Sequence, residues 1–407
     1  MSAPPSGSFA SLNENVEYLD EPDYAMLVRT VDLSNKSDRK PVYINKNAYD
    51  FLSNSNLFGG EIILSNIGSV GNVFIYEPMY ERASLAPNSI MVNMKESNRY
   101  YYYWFLSPVV NETLKIIGSD SVQTKFNKTQ LRKFSVANPS KNEQHKIAAF
   151  LDITVSQIDS IIKKTKETID DYKKYKQSSI TEAVTKGLDP DAEMKDSGIE
   201  WIGEIPKHWV IMRLKNIAEC FGGVTYSPLD VCDEDEGTLV LRSSNVQNGK
   251  LSFDDSVYIK SEIREKFMVK KGDILVCSRN GSRNLIGKNA LLDDDYGYTF
   301  GAFMTIVRII YSDFIHYFLN SEIFNAQSSL FLTSTVNQLT LGVFNNMKVA
   351  FPPVCEQVEI VSYLDKKTFE IDSLINQKQK LIEDMEAYKK SLIYECVTGK
   401  REVPEIH

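Results

Sequence analysis

Three groups of residues in this 407-residue chain have types and spacing that could do chemistry. Pro22-Asp23 followed by Asp38-Arg39-Lys40 mimics the two carboxylates and lysine with which nucleases hold a metal against phosphate. Such tolerant spacing arises often by chance, and the second half of the chain has no equivalent. Gly281 to Gly287-Lys288 approximates a phosphate-cradling loop. It is one residue too long, and Asn289 stands where a magnesium-binding hydroxyl is needed. The run Tyr100-Tyr101-Tyr102-Tyr103-Trp104-Phe105 could stack bases. In a helix half of it must face inward, which favours core packing. The four histidines (His145, His208, His316, His407) are too dispersed for a His-x-x-x-His metal pair. There is no dinucleotide fingerprint. Neither Pro-Pro pair (Pro4-Pro5, Pro352-Pro353) sits in the Asn/Asp-Pro-Pro-aromatic loop of an amino-methyltransferase. The chain is therefore expected to bind rather than to catalyse.

The elements that would position a binding surface come as a repeat. Glu143–Gly187 realigns without a gap on Glu356–Lys400, 213 residues later, with 18 identities in 45 positions, among them Leu151/Leu364, Asp152/Asp365 and Tyr175/Tyr388. Similarity at a fixed offset means repeated architecture. In copy one Val155, Ile158, Ile162, Thr165, Ile169 and Tyr172 step by three and four. Ile371, Leu374, Lys378, Leu381, Met385, Tyr388 and Leu392 do so in copy two. That spacing predicts two long helices, each with a narrow coiled-coil seam, and each seam's obvious partner is the other copy. Prolines precede each copy, and Gly187 and Gly399 mark the C-terminal stops.

Upstream of each helix the similarity continues more weakly. Ala25–Thr30 resembles Thr238–Ser243, and Gly60-Glu61-Ile62-Ile63-Leu64-Ser65 resembles Gly272-Asp273-Ile274-Leu275-Val276-Cys277. Each unit is thus a diverged mixed α/β region followed by a long helix. Short β-branched runs such as Ile274–Val276 read as strands, and Asn98–Ile117 and Tyr311–Leu330 read as one amphipathic helix each. The expected divisions are 1–142 and 188–355 for the globular regions, the latter opening with a polar linker over 188–198. Residues 143–187 and 356–407 hold the helices and tail.

Composition agrees with an ordinary soluble chain, 43% hydrophobic and 25% charged. Five scattered cysteines without a C-x-x-C point to reduced thiols and a cytoplasmic setting. No apolar run approaches the roughly 20 residues of a membrane helix. The start, MSAPPSGSF, lacks the marks of a signal peptide. Net charge is −8, so a phosphate backbone could dock only on local basic clusters. One is Lys260, Arg264, Lys266, Lys270 and Lys271 with Arg279, Arg283 and Lys288. Another is Lys125, Lys128, Arg132 and Lys133.

The stretch GIEWIGEIPKHWVIMRLK (Gly198–Lys215), PPVCEQ, LVLRSSNVQNG, KGDILVCSRNGS and the helix ending ITEAVTKGLDP resemble the specificity subunits of Type I restriction–modification enzymes. The likeness runs from about Tyr24 to Lys400. It implies two α/β target recognition domains alternating with two long helices that pair antiparallel as a spacer, in a pseudo-two-fold repeat. It further implies a non-catalytic adaptor that reads a bipartite target in double-stranded DNA. Two modification (methyltransferase) subunits and the restriction (motor–nuclease) subunits would dock on it. The subunit itself would need no cofactor, its partners using S-adenosylmethionine, ATP and magnesium.

On that reading, base edges and phosphates would be met by polar and basic loop residues. The candidates fall in three loops of each region. Arg29, and Arg242 with Ser243 and Asn245, follow equivalent strands. Ser278, Arg279, Asn280, Ser282 and Arg283 follow the Gly-Asp-Ile strand, with Ser65, Asn66 and Ser69 as their counterparts. Lys125, Asn127 and Lys128, and Asn337 and Gln338, precede the long helices. Nothing before Tyr24 matches Ile205–Trp209 or Phe221–Thr225, so the first recognition domain is expected to be shortened at its start. Three rivals remain. One is a coiled-coil scaffold that does not read DNA. Another is a metal nuclease built on Asp23, Asp38 and Lys40. The third is a specificity subunit whose partner fuses methylation with cleavage.

Overall fold

A computed structural model describes residues 14–34, 39–65, 70–118, 126, 128–331 and 337–404. The chain forms two compact units, Met1–Lys166 with Gln379–His407, and Glu167–Lys378. Each long helix is shared between them, so the units do not follow the whole-helix divisions read from the sequence.

The first unit runs β1 (Ala25–Val28), β2 (Tyr43–Ile44), α1 (Lys46–Phe51), β3 (Asn56–Leu57), β4 (Ile62–Ser65), β5 (Val73–Ile75), β6 (Ala83–Leu85), β7 (Ser89–Val92), α2 (Asn98–Leu106), α3 (Pro108–Gly118), α4 (Lys128–Arg132) and α5 (Lys141–Lys186). One sheet has the order β2-β1-β6-β3, with β1 and β6 parallel and Val28 opposite Leu85. The other is β5-β4-β7, antiparallel, with Ile62 opposite Ile75 and Val92. Strands β1 and β4 are buried along their whole length, which is why they read as continuous apolar runs rather than alternating ones.

The second unit holds β8 (Met194–Asp196), β9 (Glu204–Pro206), β10 (Val210–Arg213), β11 (Glu219–Gly222), β12 (Val231–Cys232), β13 (Thr238–Leu241), β14 (Val246–Gln247), β15 (Lys250–Leu251), β16 (Tyr258–Ile259), β17 (Ile274–Cys277), β18 (Asn289–Leu291), β19 (Thr299–Phe300), β20 (Met304–Arg308), α6 (Ser312–Leu319), α7 (Glu322–Ser329), α8 (Leu341–Asn346), β21 (Lys348–Phe351) and α9 (Val354–Val397). Its sheets repeat the pattern of the first. Strand β13 pairs parallel to β19 and antiparallel to β16, as β1 does with β6 and β2. Strand β17 sits between β18 and β20 as β4 sits between β5 and β7. The second unit adds β11 on the edge of β20 and the β10–β21 ribbon.

Several elements differ from the sequence expectation. Residues 188–198 are not a free linker: β8 pairs with β9, and Ile199, Ile202, Ile205 and Trp209 are buried in the second unit's main core. The apolar residues of the following stretch need covering, and the hairpin folds them in. The helix expected over 98–117 breaks at Ser107, which is extended because Pro108 follows it. The helix expected over 311–330 breaks at Asn320-Ser321. There the Asn320 side chain donates to the His316 carbonyl (2.8 Å), and Ser321 caps α7 by accepting from the Phe324 amide (3.4 Å). The aromatic run of α2 is core, with Tyr100, Tyr101, Tyr103, Trp104 and Phe105 all buried.

Helices α5 and α9 have 46 and 44 residues, about 70 Å of helix for the longer. In each unit the N-terminal part of one helix packs with the C-terminal part of the other, so they pair antiparallel. The contacts recur at the offset of 213. Lys389 Nζ meets Asp159 at 2.7 Å in the first unit, and Lys176 Nζ meets Asp372 at 2.7 Å in the second. Gln144 donates to the Pro139 carbonyl (3.0 Å) and Gln357 to the Pro352 carbonyl (2.9 Å), tying each helix start to its preceding proline. The seam of copy one is as expected over Val155, Ile158, Ile162, Thr165 and Ile169, which are buried, while Tyr172 is only half-buried. That of copy two is corrected. Ile371 and Leu392 are buried as expected, but Leu374 (38% exposed) and Tyr388 (44%) face out, and Ile382, outside the expected seam, is buried. A run rich in Leu, Ile and Lys offers two adjacent apolar registers, and the position of the partner helix selects one. Gly187 ends α5 with φ +74°, and a Cβ there would come within 3.2 Å of the Trp209 ring.

Candidate nucleic-acid interface

In the second unit the topology brings three loops to one place. The parallel pairing of β13 and β19 sets the turn after Leu241 beside the Gly301–Phe303 turn, with the Gly301 amide donating to the Leu241 carbonyl (3.0 Å). The antiparallel pairing of β17 and β20 sets Ser278 and Arg279 against the same turn, and both amides donate to the Phe303 carbonyl (3.0 and 3.1 Å). Residues 337–339 close the third side. Arg279 forms an antiparallel bridge with Gln338, and the Leu339 amide donates to the Ser278 carbonyl (2.8 Å). Between the loops lies a cleft of about 1240 Å³ whose walls include Tyr226, Arg242, Ser243, Arg279, Phe303 and Asn337. Val224 and Thr225 line another wall, and just before them a Cβ at Gly223 would lie 2.1 Å from the Phe300 carbonyl oxygen, so only glycine permits that approach.

The residues singled out from the sequence take different parts here. Arg279 is exposed, and its guanidinium lies over the Phe303 ring at 4.8 Å from the centroid. Asn280 donates to Ser243 Oγ (2.9 Å), accepts from the Ser282 amide (3.0 Å), and its own amide donates to the Asn337 carbonyl (3.3 Å). Asn337 Nδ2 donates back to the Gly281 carbonyl (3.1 Å). Lys288 Nζ donates to the Ser243 carbonyl (3.1 Å). The loops are therefore bonded to one another, and the cleft is a preformed surface rather than three independent strands of chain. Ser282 and Arg283 are exposed but outside the cleft's walls. Ser278 is buried, its hydroxyl donating to the Phe303 carbonyl.

Arg242 lines the cleft yet is largely committed. It pairs with Asp255 (2.9 Å) and donates to the Asp255 carbonyl (3.0 Å). Its amide donates to Asn245, which is fully buried and holds the turn by donating to the carbonyls of Ser252 and Asp255. The first unit repeats the device. The Arg29 amide and guanidinium both bond Asp32, and the guanidinium donates to the Lys40 carbonyl (2.8 Å). Both arginines brace their loop. Ser65 is buried in β4 opposite Ser89. Lys128 Nζ is buried with no partner among the described residues, and desolvation lowers its pKa. Asn66, Ser69, Lys125 and Asn127 lie outside the described residues.

Of the nuclease-like trio, Asp38 also lies outside the described residues, and the Asp23 carboxylate accepts the neighbouring Tyr24 amide. Among the described residues no group of three His, Cys, Asp or Glu side chains could hold a metal, and no helix is long and apolar enough to cross a membrane. The residue that sequence reasoning missed is Phe303. It is 55% exposed in a glycine turn between two apolar strands, a place where a large aromatic has no core to fill.

A duplicated helical frame carrying a diverged α/β module on each copy is the class of architecture defined here, and comparison with known proteins gives it a family. Residues 9–171 and 206–384 match the Type I restriction modification DNA specificity domain, and the chain belongs to that family. It is 27% identical over 205 residues to the Type I restriction enzyme EcoKI specificity subunit of Escherichia coli (strain K12), covering 49% of this chain and 44% of that protein. The alignment thus spans less than half of that relative, and the same holds for the StySPI specificity subunit of Salmonella potsdam (44%). The MjaVIII specificity subunit of Methanocaldococcus jannaschii is 26% identical over 332 residues, 79% of this chain and 75% of that one. Among solved structures, a chain from one described as the structural basis underlying complex assembly and conformational transition of the type I R-M system superposes with TM-score 0.72. That match has 13% identity and covers 95% and 92% of the two chains. The HsdS subunit from Thermoanaerobacter tengcongensis gives 0.50, also at 13% identity. At that identity the likeness is one of fold.

Proposed function

We propose that this chain is the DNA sequence-recognition subunit of a Type I restriction–modification complex, reading a bipartite double-stranded target with one half-site per recognition domain. The observation that carries this is the cleft of the second unit. There, loops from three parts of the chain are bonded together around an exposed arginine, on a frame that the first unit repeats. Surface-exposed polar and basic groups on rigid elements are what base and phosphate contacts require. Duplicated readers fit a target in two parts, as symmetry in a protein is mirrored in half-site spacing.

Catalysis belongs to the partners on this reading. Two modification subunits would dock on the paired helices, and restriction subunits would join them. The partners would bind S-adenosylmethionine, ATP and magnesium. Support comes from apolar side chains that stay exposed at equivalent places in both helices: Ile161 (44%) and Leu374 (38%), Tyr175 (50%) and Tyr388 (44%). Apolar residues kept outward in both copies fit two like partner surfaces. With a net charge of −8, tight DNA binding is expected only in the complex with those partners.

The test is to express the chain with its modification subunits in a methylation-free host and map methyladenine along the genome. A two-part motif with a fixed gap, modified on both strands, is the expected result. A stable complex that methylates nothing would sink the proposal in favour of a scaffold that reads no DNA.

A further inference from the structure

We propose that Arg279, stacked on Phe303, is a specificity-determining residue that reads a guanine in the half-site of the second recognition domain; this rests on the DNA-reading function above. Three observations point to it. The first is orientation. With its centre 4.8 Å from the Phe303 centroid, the guanidinium lies over an aromatic face, which supports it and limits the directions in which its fork can turn. A planar fork with two parallel donors matches the O6 and N7 acceptors that guanine alone shows side by side in the major groove.

The second is charge. Two other arginines of this unit are neutralised, Arg242, which also lines the cleft, by Asp255 and Arg308 by Asp273. Among the described residues Arg279 has no carboxylate partner, so its charge and donors are available for a ligand. The third is rigidity. The Arg279 backbone is pinned on both sides, by its bond to the Phe303 carbonyl and by the bridge to Gln338. Arg283, four residues on, is equally basic but exposed in a short turn with no aromatic beneath it, which suits a phosphate contact better than base reading.

The first domain differs in sequence at the equivalent positions. When β17 is aligned on β4 and β20 on β7, Ile67 stands where Arg279 is and Asn88 where Phe303 is. No arginine stands at the equivalent sequence position of the first domain, so the effect is expected in the second half-site.

The experiment uses the assembled complex with its modification subunits, comparing methylation motifs for the wild type, Arg279→Gln, Arg279→Lys and Phe303→Leu. The wild type should show an invariant G·C pair in one half-site. Arg279→Gln, which presents the donor–acceptor pair suited to adenine, should lose preference for that guanine by about ten- to a hundredfold and move toward A·T at that position alone. Arg279→Lys, which keeps the charge and certainly the fold of an exposed site, should relax the same position while methylation of the best sites persists. Phe303→Leu should have a smaller effect of the same kind. An unchanged motif overturns the proposal. So does a uniform loss across all sequences, which marks a phosphate contact, or a target without guanine in the affected half. If the wild-type complex itself yields no bipartite motif, the DNA-reading function fails, and this inference falls with it.

Discussion

The two units share a frame and differ in what the frame holds. Lys389–Asp159 and Lys176–Asp372, Gln144 and Gln357, and the braced arginines Arg29 and Arg242 are the same contacts made twice. Against that constancy, a buried carboxylate is used differently. Glu61 accepts the amides of Phe58 and Gly59 (2.9 Å each) and makes a turn before β4. Its counterpart Asp273 accepts the Lys270 amide (2.8 Å) before β17 and also grips Arg308 through two bonds of 2.6 and 2.7 Å. Asn93 stands where Arg308 does, so the first unit has no such pair. The second unit thus ties the strand that delivers Arg279 to the strand that delivers Phe303. What differs between the copies is concentrated in the strands that aim the loops.

The largest effect that separates the units should come from that carboxylate. Asp273→Ala leaves Arg308 partly buried without its partner and the Lys270 amide unbonded. Breaking such a pair costs roughly 3 kcal/mol, the low end of the buried range because Arg308 retains some solvent contact. Glu61→Ala loses only amide caps and should cost about 1–2 kcal/mol. Hydrogen exchange resolved to β17 and β4 measures the two separately. Equal losses would mean that the ion pair adds nothing to the turn.

Next in size is a pH effect confined to the second unit. His316 on α6 occupies the position of Tyr103, and burial pushes its pKa down to about 4, outweighing the pull of Asp313 and Asp365 and adding to that of Lys176. The unfolded chain takes up the proton first, near 6.5. Stability is therefore fully present above that value and drains away as pH falls toward about 4, by up to about 3 kcal/mol. Unfolding by urea, followed by the fluorescence of Trp201 and Trp209, both in the second unit, in a Trp104→Phe background, should show a midpoint that drops through this window. His316→Phe should flatten the drop. A slope that survives the substitution would assign the titration to another group.

Much of the frame was legible from the chain alone, because duplication exposes it. The offset of 213, the helix-stopping glycines and the heptad seam each report a local rule that operates twice. The failures have physical sources. Choosing between Leu374 and its neighbours as seam residues needs the position of the partner helix. Ser107-Pro108 and Asn320-Ser321 end helices by local competition that a period-based reading averages away. The loops were the least legible. Arg242 and Arg279 look alike as sequence, yet Asp255 neutralises one while Phe303 supports the other, and both partners are distant in the chain. Composition can name arginines, whereas only topology assigns their tasks.

The smallest predicted effect is the sharpest test of equivalence. Lys389 and Lys176 are about equally exposed (27% and 30%), as are Asp159 and Asp372 (53% and 50%), and the bond lengths match. Partly solvated pairs of this kind contribute about 0.5–1 kcal/mol, screened by salt. Double-mutant cycles on Lys389→Met with Asp159→Asn, and on Lys176→Met with Asp372→Asn, should return coupling energies that agree within error and shrink together as salt is raised. If one pair couples and the other does not, the helical frame is duplicated in sequence but not in energy. The differences between the recognition domains would then extend into the scaffold that presents them. If they agree, the frame is a constant. Differences in what the two halves read must then be sought in the loops alone, above all in the arginine that the second unit sets over Phe303.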